Sequence, residues 1–184
     1  MLMTLVAQVE NKPGVLNRVA SLFRRRGFNI ESLTVGHTEK PGISRMTMVV
    51  DTDDAGALRL EANLYKLVNV LSVENVTTTP AVFRDLAMIK VAATPETRAE
   101  IMQLAHVFRA RIVDVNNESL VIESTGTEDK VNGLVEVLRG YGILEMARTG
   151  RLAMTRGPGS RSEVSAGADE HDDPVSDESV SYSV

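Results

Sequence analysis

Cysteine is absent from the 184 residues, and so is tryptophan. Without thiols there can be no disulfide framework, thiolate zinc site or cysteine nucleophile. A reducing cytoplasm is the compartment expected for such a chain. Aromatic residues make up only 4%, so the core must be built from Val, Leu, Ile, Met and Ala. No apolar run approaches the roughly 18 residues that a membrane-spanning helix needs, and no membrane association is expected. Met1 to Val6 lack the basic region and small-residue cleavage site of a secretory signal. Also missing are a glycine-rich phosphate loop and a Gly-x-Ser-x-Gly nucleophile turn. His37, His106 and His171 are far apart and have no metal-ligand spacing. Asp51, Asp53 and Asp54 precede a helix and are expected to complement its N-terminus rather than hold Mg²⁺. No catalytic residue, metal or cofactor is therefore assigned to this chain.

Basic charge is scarce where a nucleic-acid binder would concentrate it. The net charge is −5, but it is unevenly placed. From Gly157 to Val184 there are seven acids and one base, Arg161, whereas the preceding 156 residues carry 18 acids and 19 bases. The body is nearly neutral and the acidity sits in a tail. That tail, 158–184, is rich in Ser, Gly, Asp and Glu without apolar periodicity, and is expected to be disordered. Arg24, Arg25 and Arg26 are expected to be solvated charges at a helix C-terminus.

The body repeats one order of elements. Thr4 to Glu10 is a β-rich run that breaks at Asn11-Lys12-Pro13-Gly14. A helix follows, with Val15, Leu16, Val19, Leu22 and Phe23 on one stripe, and Gly27 stands at its C-terminal stop. Asn29 to His37 and Ile43 to Val50 form a hairpin around Lys40-Pro41-Gly42. Ala57, Leu60, Leu64 and Leu67 mark a second helix, and Val70 to Val76 a fourth strand. The second half runs in parallel. Leu86 to Ala92 is a strand, Thr94-Pro95 opens a helix, and Arg111 to Val115 pairs with Leu120 to Ser124. Val131, Leu134, Val135 and Leu138 mark the last helix, and Ile143 to Thr149 the last strand.

The order βαββαβ, written twice, predicts an α+β protein of two ferredoxin-like domains. Their expected limits are 1–78 and 84–157, with a linker at 79–83. Each sheet would leave one face wet unless something covers it, so a homo-oligomer is expected. The same topology hosts RNA recognition modules, but these need aromatics on the central strands, and Leu5, Val6 and Met46 to Val50 offer none.

The most informative stretch is Glu10 to Leu16. With Asn11 as N-cap, the first-turn amides of Gly14 and Val15 would point outward and favour a carboxylate. Gly14 would let a ligand approach the backbone. The same residues are also an ordinary strand-to-helix turn, and Asn29 could simply satisfy its own turn.

Three runs carry a resemblance: Asn11-Lys12-Pro13-Gly14-Val15-Leu16-Asn17-Arg18-Val19, Arg26-Gly27-Phe28-Asn29-Ile30-Glu31-Ser32-Leu33-Thr34-Val35, and Ser44-Arg45-Met46-Thr47. Together they resemble the ACT domain of acetolactate synthase small subunits. Phe108 to Val115 and Ile143 to Gly150 resemble that family's C-terminal domain. The resemblance spans roughly 1–157. It implies an N-terminal ACT domain that dimerises and binds valine as a feedback effector at the interface. Asn11, Gly14 and Val15 of one subunit would hold the amino acid, with Asn29 and Ile30 from the other; Leu16 and Val35 are placed to shape the side-chain pocket. It further implies a large catalytic partner subunit that carries thiamine diphosphate, Mg²⁺ and FAD, and that this chain activates. A free-standing ACT-type amino-acid sensor acting on another enzyme is the alternative.

Overall fold

Strand β1 (Leu2–Glu10) is apolar on both faces, as expected of a strand covered from both sides. Met3, Leu5, Ala7 and Val9 point to one face and are buried, and so are Thr4 and Val6 on the other. In the computed structural model, which describes residues 1–157, β1 lies inside a four-stranded antiparallel sheet. The sheet has the order β2-β3-β1-β4, with β2 Ile30–His37, β3 Ile43–Asp51 and β4 Val70–Asn75. Helices α1 (Val15–Arg26) and α2 (Asp54–Leu64) cover one face. Val19, Phe23, Leu60 and Leu64 meet Leu5, Met46, Met48 and Val50 there in a single apolar cluster.

The second domain repeats the plan. β5 (Ala81–Ala92) is central, flanked by β7 (Ser119–Gly126) and β8 (Ile143–Arg148), with β6 (Arg111–Val115) outside β7. Ile89 and Ile122 pack against Ile101 and Ala105 of α3 (Pro95–Val107) and against Leu134 and Leu138 of α4 (Glu128–Arg139).

Among the described residues, three of the four helices open with side-chain caps. The Asp53 carboxylate accepts from the Gly56 amide at 2.6 Å, Thr94 and Thr97 cap each other reciprocally, and Thr127 accepts from Lys130. The Asp cluster thus serves the helix opening, and Asp51 pairs instead with the terminal amine at 2.9 Å. Among the described residues no group of three His, Asp or Glu is placed to hold a metal ion. Replacing Asp53 with Ala should cost about 1 kcal/mol, read as a lower denaturant midpoint at unchanged slope; an unchanged midpoint would mean the cap contributes nothing.

Two features depart from the sequence expectations. Residues 81–83 of the expected linker are already strand: Ala81 to Arg84 pair with a further strand, β9 (Leu152–Thr155), which no sequence signal had marked. This C-terminal segment also changes the argument about the wet face. Ala153 and Phe83 pack on Val6 and Val76, and Arg45 donates to the Ala153 carbonyl at 2.9 Å. The outer face of the first sheet is therefore covered by the chain itself, and no second copy is needed there. Among the described residues the outer face of the second sheet stays open, with Met88 45% exposed beside a depression of about 210 Å³ that Val121 and Ala147 also line. The tail at 158–184 lies outside the described residues.

Candidate functional site

The opening of α1 is built differently from the other three helices. Gly14 is the N-cap residue at φ +82°, and no side chain caps it. This is the left-handed region, which a residue with a Cβ reaches only with strain. Asn11, expected as the cap, is used elsewhere. Its amide donates to the Gly42 carbonyl at 2.7 Å, and its side chain lies 3.5 Å from His37 Nδ1. Pro13 and the left-handed Gly14 carry the chain into the helix, so the turn holds its shape without Asn11.

Which amides remain free follows from this turn. The Val15 amide reaches the Lys12 carbonyl at 3.4 Å, and Arg18 donates to the Gly14 carbonyl at 3.0 Å. Among the described residues nothing accepts from the amides of Gly14, Leu16 or Asn17. The Val15 amide, expected to point outward with that of Gly14, turns back on Lys12 instead, and the amides of Leu16 and Asn17 are left without an acceptor. Unpartnered amides at a helix N-terminus favour a carboxylate or similar anion. The Val15 side chain is buried in the core, so that residue can offer a ligand only backbone. Leu16 is exposed beside it.

The floor of this opening is fixed. Asn69 donates to Glu10 and accepts from Arg18 at 2.6 Å. Lys12 reaches Glu10 at 3.1 Å. The Asn69 hydrogen bond, and secondly that of Lys12, hold the Glu10 carboxyl below its ordinary range. Glu10 thus stays ionised and engaged, and Lys12 is partly neutralised, although its ammonium remains at the rim.

Asn29 and Ile30 are not brought to this opening within one chain. They lie past the far end of α1, a helix of 12 residues and therefore about 18 Å long. Asn29 is exposed and donates to Glu31 at 2.5 Å, while Ile30 packs against the first core. Ile30 begins β2, an edge strand of the first sheet, and Asn29 immediately precedes it. His37 ends the same strand and touches Asn11. His37 has no role expected from its sequence neighbours. Its place at the meeting of β2 with the helix opening depends on a pairing 26 residues apart, which no local signal marks.

The chain is similar to known proteins over both domains. A family model described as an AHAS small subunit-like ACT domain matches residues 5–72, and one described as the small subunit of acetolactate synthase matches 84–157. The probable acetolactate synthase small subunit of Archaeoglobus fulgidus is 54% identical over 154 residues, covering 84% of this chain and 96% of that protein. The acetolactate synthase small subunit of Mycolicibacterium smegmatis is 49% identical over 155 residues, covering 84% and 91%. The crystal structure of the acetolactate synthase small subunit from Thermotoga maritima superposes with a TM-score of 0.81 at 43% identity, covering 85% of this chain and 98% of that one.

Proposed function

The chain belongs to the acetolactate synthase small-subunit family, and from that premise we propose that it activates a large catalytic subunit and makes it sensitive to valine. Carbon–carbon bond formation would rest with the large subunit and its thiamine diphosphate, Mg²⁺ and FAD. This chain would contribute sensing and control.

The observation that carries the reading is the set of unpartnered amides of Gly14, Leu16 and Asn17, beside which β2 presents an open edge. An exposed edge strand favours pairing with another strand. If two copies pair antiparallel through β2, the start of one strand meets the end of the other. Asn29 and Ile30 of one copy then approach His37 and Asn11 of the second, because Asn11 already touches His37. A valine carboxylate would accept from the free amides, its ammonium group would meet the side-chain oxygens of Asn11 and the other copy's Asn29, and its isopropyl group would lie against Leu16 and Ile30. A helix opening alone contributes only about 0.3–1 kcal/mol to anion binding when exposed. Closure by a second copy excludes water and supplies the rest. Because effector binding can inhibit only by favouring one state of the complex, valine must bind the less active state more tightly.

The purified chain is expected to form no acetolactate by itself, and to raise the rate when added to its large subunit. Valine should then lower that rate, and should release or absorb heat on titration into the chain. Acetolactate from the chain alone would overturn the regulatory role. Failure to activate the large subunit while still binding valine would point to a free-standing sensor.

A further inference from the structure

The first and second domains meet along β2, the strand that Asn29 leads into. The backbone between β8 and β9 crosses β2 so closely that Gly150 admits no side chain. A Cβ there would lie 2.5 Å from Ser32 Oγ, 2.6 Å from Thr34 Oγ1 and 3.0 Å from the Leu33 carbonyl carbon. Ser32 accepts from the Arg151 amide at 2.9 Å. The Arg151 guanidinium then reaches both domains: it donates to Thr4 of β1 at 3.0 Å and to Glu128, the first residue of α4, at 2.5 Å, and it lies 5.4 Å from the centre of the Phe83 ring. Just upstream, Arg148 holds buried Asp85 at 2.5 Å and Asn132 of α4 at 2.8 Å. The segment is thus tied at one end to β2 and at the other to α4.

We propose that this strap, Thr149 to Arg151, is the element through which occupation of the effector site reaches the second domain; the inference rests on the amino-acid-sensing role proposed above. Asn29 donates to Glu31, and Glu31 and Ser32 both line an interdomain cleft of about 430 Å³ together with Asp85, Arg148, Gly150 and Arg151. Asn29 faces a ligand ammonium with its side-chain oxygen while its amide nitrogen holds Glu31, so drawing Asn29 onto the ligand moves Glu31 with it. The displaced carboxylate then bears on a cleft where two arginines already balance Asp85 and Glu128. Ser32 follows on the same strand, so a shift of β2 is carried to Arg151 and through it to α4. Coupling requires such a physically continuous element with contacts in both parts.

The test uses the full chain with its large subunit and compares wild type with Gly150→Val. Valine affinity is read by calorimetry on the full chain, and inhibition is read on the complex. The expected result is a valine Kd within about threefold of wild type, retained activation, and inhibition weakened by at least about tenfold, within the usual range of allosteric coupling. Unchanged inhibition, or a Kd that rises in step with the loss of inhibition, would overturn the strap. Should Gly150→Val fail to fold, Ser32→Ala and Arg151→Met remove the hydrogen bonds without adding bulk, and the same split between Kd and inhibition decides. If the wild-type chain binds no valine at all, the sensing role itself falls and the strap with it.

Discussion

Gly14→Asp is expected to leave activation of the large subunit intact and to abolish both valine inhibition and detectable valine binding. The fold should tolerate the change. A Cβ at Gly14 meets nothing within 4 Å, and Asp is among the few residues that enter the left-handed region, at a cost of about 1–2 kcal/mol. The function should not tolerate it. The new carboxylate lies beside the free amides of Leu16 and Asn17 and competes for them, and it repels the carboxylate of an incoming amino acid. Gly14→Ala separates the two effects, since it brings the backbone strain without the charge. It should weaken inhibition less than Asp does. Full valine sensitivity in Gly14→Asp would remove this helix opening from the effector site.

The second large effect concerns stability. Phe23 is the bulkiest fully buried side chain of the first domain, 1% exposed, between α1 and the sheet. Phe23→Ala is expected to cost about 3–5 kcal/mol, which in a chain of this size lowers Tm by roughly 6–20 °C. α1 carries the effector turn at its start and Phe23 in its last turns. Loosening this contact should therefore raise the valine Kd as well as lower Tm. Met88→Ala on the open face of the second sheet is the matching control, expected within about 0.5 kcal/mol of wild type. A Tm unchanged by Phe23→Ala would mean that α1 is not held by this core.

Much of this was legible in the residues. The apolar stripes of α1, α2 and α4 and the glycine at position 27 fixed the helices, because a 3.6-residue period leaves few alternatives. The turn at Lys40-Pro41-Gly42 and the short link from Val115 to Leu120 fixed two of the strand pairings. The effector residues were legible as a motif and only in part as physics. Asn-x-Pro-Gly marks a helix opening, yet which amides stay free depends on the backbone at Gly14. There Asn11 does not cap, and Val15 turns back on Lys12.

What the sequence determined by itself is the local order of the chain: two βαββαβ units, their cores, and family membership through long, specific runs of identity. These follow from side-chain periodicity and turn chemistry, which act over a few residues. Tertiary structure alone decided that β9 returns to cover the first sheet, that Gly150 seats on Ser32 and Thr34, and that Arg151 joins Thr4 to Glu128. The contacts from Gly150 and Arg151 to Ser32, Thr34 and Thr4 bridge residues more than a hundred positions apart. Nothing in a local pattern records them, because they arise only when two finished domains are pressed together.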